Sequence, residues 1–121
     1  MKKAILYTRV PKEHTKQNAE ELFRQETELR KYCETNQLEI VKVIHEYADG
    51  KDFNRLHFTS LYLELLKGTI KADYLLFTDV HVFCENIGEV VRVHHRLLKL
   101  GVTTKAINNI NVLFVGIINK D

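Results

Sequence analysis

Arg9 lies inside the apolar run Ala4-Ile5-Leu6-Tyr7-Thr8-Arg9-Val10, just before Pro11, the only proline of the chain. Arginine is almost never fully buried unless its charge is paired. Its guanidinium must therefore meet an anionic ligand at the end of that run or an acidic side chain. Thr8 and Thr15 flank Pro11 with hydroxyls. Successive side chains of an extended run alternate, so Thr8 points away from Arg9, and Thr15 has no evident base to activate it. His81 and Cys84 are metal-ligating and nucleophilic types, but two ligands in one loop fall short of a metal site. His94-His95 faces two directions on a helix and cannot hold one ion, so one buried and one exposed imidazole are expected. Cys33 and Cys84, two residues far apart, make no disulfide framework and point to reduced thiols.

These groups need elements to position them. The run ending at Pro11 reads as a buried strand, since it is short, apolar and closed by a breaker. A helix is expected from about Asn18 to Asn36, with Leu22, Leu29 and Cys33 on one face and Asn36 as the stop. Leu38 to Ile44 is a second β-rich run, completing a βαβ unit with a right-handed crossover. The polar stretch Glu46 to Arg55 carries an Asp49-Gly50 turn signal. A helix follows from about Leu56 to Lys67, with Phe58, Leu61, Tyr62 and Leu65 apolar, and Gly68 ends it. Ala72 to Phe77 reads as a central strand of a parallel sheet, Thr78 to Glu85 as a loop. Ile87, Val90, Val91, His94, Leu97 and Leu98 mark a third helix ended by Gly101. Val102 to Ile107 and Ile110 to Ile118 read as edge strands joined at Asn108-Asn109. The pattern βαβαβαββ predicts an α/β fold, a mostly parallel central sheet with helices on both faces, and a core holding Leu29, Leu75 and Val91.

At 121 residues, 45% hydrophobic and 28% charged, the chain suffices for one domain spanning 1–121 with its own core. A formal charge of +2 is too mild to indicate nucleic acid by itself. No apolar run approaches a membrane span and no signal-peptide core opens the chain, so a cytoplasmic protein without membrane partners is expected.

Tyr7-Thr8-Arg9-Val10-Pro11 resembles the opening motif of the serine recombinases, the resolvase/invertase family, which reads Tyr-x-Arg-Val-Ser. Gln25 stands where that family keeps a glutamine in its first helix. Tyr47 to Phe58 is similar to the family's mobile loop, with Gly50, Arg55 and Phe58 matching, a shorter span and Leu56 in place of a proline. Lys71 to Thr78 resembles the strand leading into the second catalytic motif, and Leu100-Gly101-Val102 the Leu-Gly-Val after the next helix. That second motif reads Asp-Arg-apolar-small-Arg-Asn. Here His81-Val82-Phe83-Cys84-Glu85-Asn86 stands in its place, so the aspartate is His81, the first arginine Val82 and the second Glu85.

The resemblance implies a resolvase-like fold and site-specific DNA recombination, in which a serine attacks a DNA phosphodiester without metal or cofactor. Pro11 occupies the serine position and has no heteroatom to attack with. Arginines must stabilise the charge on a transferring phosphoryl group, and Val82 and Glu85 remove one and reverse another. The expectation is a catalytically inactive domain, a pseudoenzyme of a mobile-element type, with Arg9 and Arg55 converging as a phosphate-binding remnant unless Glu85 occupies that place. The partners then implied are DNA, held weakly and without sequence preference, and another chain, either a second copy or an active recombinase. No C-terminal DNA-reading domain is expected within the chain, as no helix-turn-helix fits. Two alternatives stay open: an active serine recombinase with atypical residues, and a fragment of a longer recombinase. An unrelated nucleotide-binding or response-regulator domain fits worse, lacking a Gly-rich phosphate loop and an acidic cluster at the strand ends.

Overall fold

The computed structural model describes residues 1–108. Strand β1 (Lys3–Val10) is followed by α1 (Lys16–Thr35), β2 (Glu39–Tyr47), α2 (Leu56–Lys67), β3 (Tyr74–Phe77), the single turn α3 (Val80–Phe83), α4 (Ile87–Leu98) and β4 (Thr103–Ala106). The four strands form one sheet in the order β2-β1-β3-β4, parallel throughout. The expected run Ile110 to Ile118 lies outside the described residues. Among those described, no helix is long and apolar enough to cross a membrane.

Two cores lie on the two sheet faces. Ile5, Tyr7, Ile44, Leu75 and Phe77 point toward α2 and α4, where Phe58, Leu61, Leu65, Val90, Val93 and Leu97 close over them. Ala4, Leu6 and Leu76 point the other way, onto Leu29 and Cys33 of α1. This alternation along β1 is the period of two expected of a strand covered on both sides. β2 breaks it once. Ala4 pairs with Ile40 but Ile5 with Lys42, so Val41 is an extra residue, and Ile40 and Val43, three apart, both pack toward α1. Such a bulge re-aims everything after it. It sends Ile44, Glu46 and Ala48 inward together.

Caps set the helix limits. Thr15 Oγ1 accepts from the Asn18 N–H, which starts α1 earlier than the apolar pattern alone predicts. Asn86 does the same for α4 through the Glu89 N–H. α2 ends at Gly68, whose φ of 73° is the left-handed geometry favoured by glycine at a helix stop. Two expectations are corrected. The stretch 78–85 is not all loop, because α3 forms within it. Val91 is only partly buried, whereas Val93 joins the core, since the phase imposed by the Asn86 cap turns Val90, Val93 and Leu97 inward.

Candidate functional site

Arg9 ends up almost enclosed, at 8% exposure, on the sheet face shared with Ile5 and Tyr7. β3 pairs with β1 only over Ala4 to Leu6, so the main chain of Arg9 lacks a strand neighbour on that side. Gln25 of α1 supplies one. Its Oε1 accepts from the Arg9 N–H at 3.1 Å and its Nε2 donates to the Arg9 carbonyl at 3.0 Å. A buried strand end would otherwise leave two polar groups unpaired.

The guanidinium is bound mostly by main chain. Nε donates to the Val82 carbonyl at 2.7 Å, Nη1 to that of Ala48 at 2.9 Å and Nη2 to that of His81 at 3.1 Å. Glu85 Oε2 lies 3.8 Å from Nη2. Burial lowers the Arg9 pKa and Arg55 adds to that, while Glu85 opposes both. Gly50 makes room for this pair: a Cβ there would stand 2.5 Å from Glu85 Oε2 and 2.9 Å from Arg9 Nη2. Its carbonyl accepts from the Glu85 N–H at 2.7 Å and from Cys84 Sγ at 3.1 Å. The missing side chain thus lets the β2–α2 loop and the segment after α3 close on each other.

Arg55 is buried beside Arg9, at 2% exposure. Its Nη1 donates to the Phe83 carbonyl at 2.6 Å and to Tyr7 Oη at 3.2 Å, and its guanidinium lies 4.5 Å over the Phe53 ring. Nε and Nη2 have no acceptor among the described residues. The two arginines therefore meet on consecutive carbonyls of α3, those of Val82 and Phe83. Glu46 completes the cluster. Its Oε1 accepts from Tyr7 Oη and the Phe58 N–H, and Oε2 from the His57 N–H, all at 2.9 Å. Arg55, the N-cap residue of α2, makes no side-chain cap, and this carboxylate from the neighbouring strand does the capping.

Tyr7 is held protonated by burial, against the pull of Arg55 and with the help of Glu46. Its folded pKa thus lies above the unfolded value of about 10. The stability this contributes is present below pH 10 and declines as pH rises beyond it, because the unfolded state then releases a proton the folded state keeps. In an alkaline absorbance titration, one of the five tyrosines should ionise only with unfolding. Five equivalent reversible ionisations would contradict this.

The remaining candidates separate from this cluster. Pro11 is exposed at the mouth of a cavity of about 390 Å³ that also reaches Arg9, Gly50, Lys51 and Glu85. The His81 side chain is exposed and Val82 is buried; both serve Arg9 through their carbonyls. No cluster of metal-ligating side chains occurs among the described residues. Thr8 is buried and donates to the Ile44 carbonyl at 2.7 Å, and Thr15 is a helix cap. His94 is buried with Nδ1 2.6 Å from Thr104 Oγ1, and His95 is exposed. Sequence reasoning missed Glu46, although Ile44, Glu46 and Ala48 at every second position already signal an acid on an inward row.

A family model described as "Resolvase, N terminal domain" matches residues 4–114. No curated protein matches the chain. Among solved structures, the N-terminal catalytic domain of TP901-1 integrase superposes with a TM-score of 0.78 at 16% identity, over 97% of this chain and 91% of that one. A resolvase family site-specific recombinase from Streptococcus pneumoniae gives 0.77 at 17% identity, over 98% and 83%. The C-terminal catalytic domain of ISC1926 TnpA, an IS607-like serine recombinase, gives 0.76 at 19% identity, over 90% and 69%. At these identities the structures speak for the fold, and the family match covers nearly all of the chain described above. The chain belongs to the resolvase N-terminal domain family.

Proposed function

We propose that this domain is a catalytically silent member of its family, acting in the cytoplasm within DNA recombination through protein contacts and weak contacts to DNA. One observation carries the reading. The guanidinium that would face a phosphate is taken up by three main-chain carbonyls and approached by Glu85, beside an exposed proline where the family has its nucleophile. A guanidinium has five N–H donors, and three of those of Arg9 point into the protein's own backbone. What persists of a phosphate site is Arg55 Nε and Nη2, both enclosed, so a phosphate reaches them only if the loop carrying Arg55 moves.

Incubated with nicked and intact duplexes and resolved on a denaturing gel, the protein should yield no DNA-linked band. In a gel shift it should bind DNA weakly, without sequence preference, and lose that binding steeply as salt rises, as for a few phosphate contacts. A covalent band, or a nanomolar sequence-selective complex at physiological salt, would overturn the reading.

A further inference from the structure

The α1 side of the sheet carries a cavity at the end opposite the arginine cluster. α1 lies over β1 and β2 more than over β3. The step down from the helix to β3 and β4 leaves a hollow of about 290 Å³, floored by Leu38 and Leu76. That volume is close to the lower end of the range for small-molecule pockets, about 300–1,000 Å³.

Lys105 carries the inference. Its neighbours Thr104 and Ala106 turn toward α4, so Lys105 faces the α1 side by the alternation of a strand. It is half-buried there, level with Leu76 of β3. Its Nζ stands 5.7 Å from the centre of the Tyr32 ring, and it has no carboxylate within ion-pair distance among the described residues. A lysine set among apolar side chains normally meets an acid. Lys42, equally half-buried on β2, has Glu64 at 3.0 Å. A ring face attracts an ammonium without neutralising it.

The rest of the lining repeats the same demand. Lys2, at the rim, is also without an ion pair among the described residues, and no carboxylate lines the hollow. Asp73, next to the lining residue Tyr74, accepts instead from the Lys3 N–H at 2.8 Å. The hydroxyls of Tyr32 and Tyr74 have no hydrogen-bond partner among the described residues. Asn36 donates through Nδ2 to the Tyr32 carbonyl at 2.8 Å, which leaves its Oδ1 to accept.

We propose that this cavity binds a small flat ring bearing an anionic group. The ring lies against Tyr32 and Tyr74 over the leucine floor, the anion meets Lys105 and Lys2, and Asn36 accepts from a ring N–H. Nucleoside monophosphates and aromatic carboxylates share this chemistry. Lys2 and Tyr74 stand at the amino ends of β1 and β3, about 20 Å along the strand from Arg9. The inference therefore stands or falls separately from the silent-site reading.

An NMR titration of the ¹⁵N-labelled full chain tests it, with thymidine 5′-monophosphate, 2-naphthoate, thymidine and inorganic phosphate as separate probes. At least one of the two anionic rings should bind with a Kd below about 1 mM, and the tighter of them identifies the source. The shifts should centre on the amides of Tyr32, Asn36, Tyr74 and Lys105. Lys105→Met removes the ammonium and keeps an unbranched chain; it should weaken binding at least about tenfold, as for a lost charged hydrogen bond. Tyr32→Leu, on a different element, should weaken it as well and serves if Lys105→Met perturbs β4. Lys16→Met, at the other end of α1, should leave the affinity unchanged. No shift from either anionic ring at millimolar concentration overturns the proposal. So does binding of thymidine or inorganic phosphate as tight as that of the anionic rings, or an affinity untouched by Lys105→Met and Tyr32→Leu. Shifts centred on Arg9 and Gly50 also overturn it, since they place the ligand at the arginine cluster.

Discussion

Glu46→Ala is expected to destabilise the domain by about 3–5 kcal/mol, the range for removing one partner of a buried charged network. The carboxylate is 1% exposed and receives the Tyr7 hydroxyl and the first free N–H groups of α2. Alanine leaves the buried Tyr7 hydroxyl and Phe58 N–H without their acceptor and the half-buried His57 N–H without its own, in a cluster where Arg55 Nε and Nη2 already have no acceptor among the described residues. Domains of this size have total stabilities of about 5–15 kcal/mol, so a large part of the folded state's margin goes with one side chain. Tyr7→Phe supplies the scale: it removes the hydroxyl's bond to Glu46 and the one it accepts from Arg55, and should lose about 2 kcal/mol. Urea denaturation of the three proteins decides the matter through the shift in midpoint at constant slope. A loss below about 1 kcal/mol for Glu46→Ala would mean that water replaces the carboxylate and that Glu46 is not the keystone of the cluster.

A serine at position 11 is expected to restore no detectable cleavage by itself. Pro11 is exposed, so the hydroxyl would be accessible, yet two tasks would remain undone. The phosphate would find Val82, buried, where the family has an arginine, and Glu85 standing 3.8 Å from Arg9, where it repels a second anion. A single lost electrostatic contact costs about two to three powers of ten in rate. Two together put the variant about four to six powers of ten below a complete site, too slow to accumulate a DNA-linked protein. Partial recovery should require Pro11→Ser, Val82→Arg and Glu85→Arg together, with the loop carrying Arg55 still able to dock. Denaturing gels of the single and triple variants on nicked and intact duplexes give the readout. A covalent band from Pro11→Ser alone would show that the two missing arginines matter far less than the electrostatics demand.

Much of this arrangement was legible from residue types. An arginine in an apolar strand before a proline announces that it needs acceptors, and the strand, helix and turn signals around it gave the parallel α/β plan. The identity of the acceptors was not legible. Carbonyls of Ala48, His81 and Val82 carry no side-chain signature, and those of His81 and Val82 reach Arg9 because α3 folds as one turn in a stretch too short to show periodicity. Gln25 continues the inward row of Leu22, Leu29 and Cys33 on α1, but that its amide meets the main chain of Arg9 follows from β1 outrunning β3 there. The role of Gly50 likewise depends on two segments meeting across the fold, which no local pattern records.

The extra residue in β2 has a consequence for how the protein coexists with itself. β2 is the outermost of the described strands on its side and nine residues long, and a long flat outer strand invites another chain to add to it and template fibres. Val41 interrupts the repeat near one end of that strand, and the side chains of Lys42 and His45 along it are tied to Glu64 and Glu26 at 3.0 and 2.6 Å. An incoming strand would find its register broken and charged groups in its path. The outer edge of the sheet is thereby guarded against main-chain zippering with another chain, which is hard to reverse.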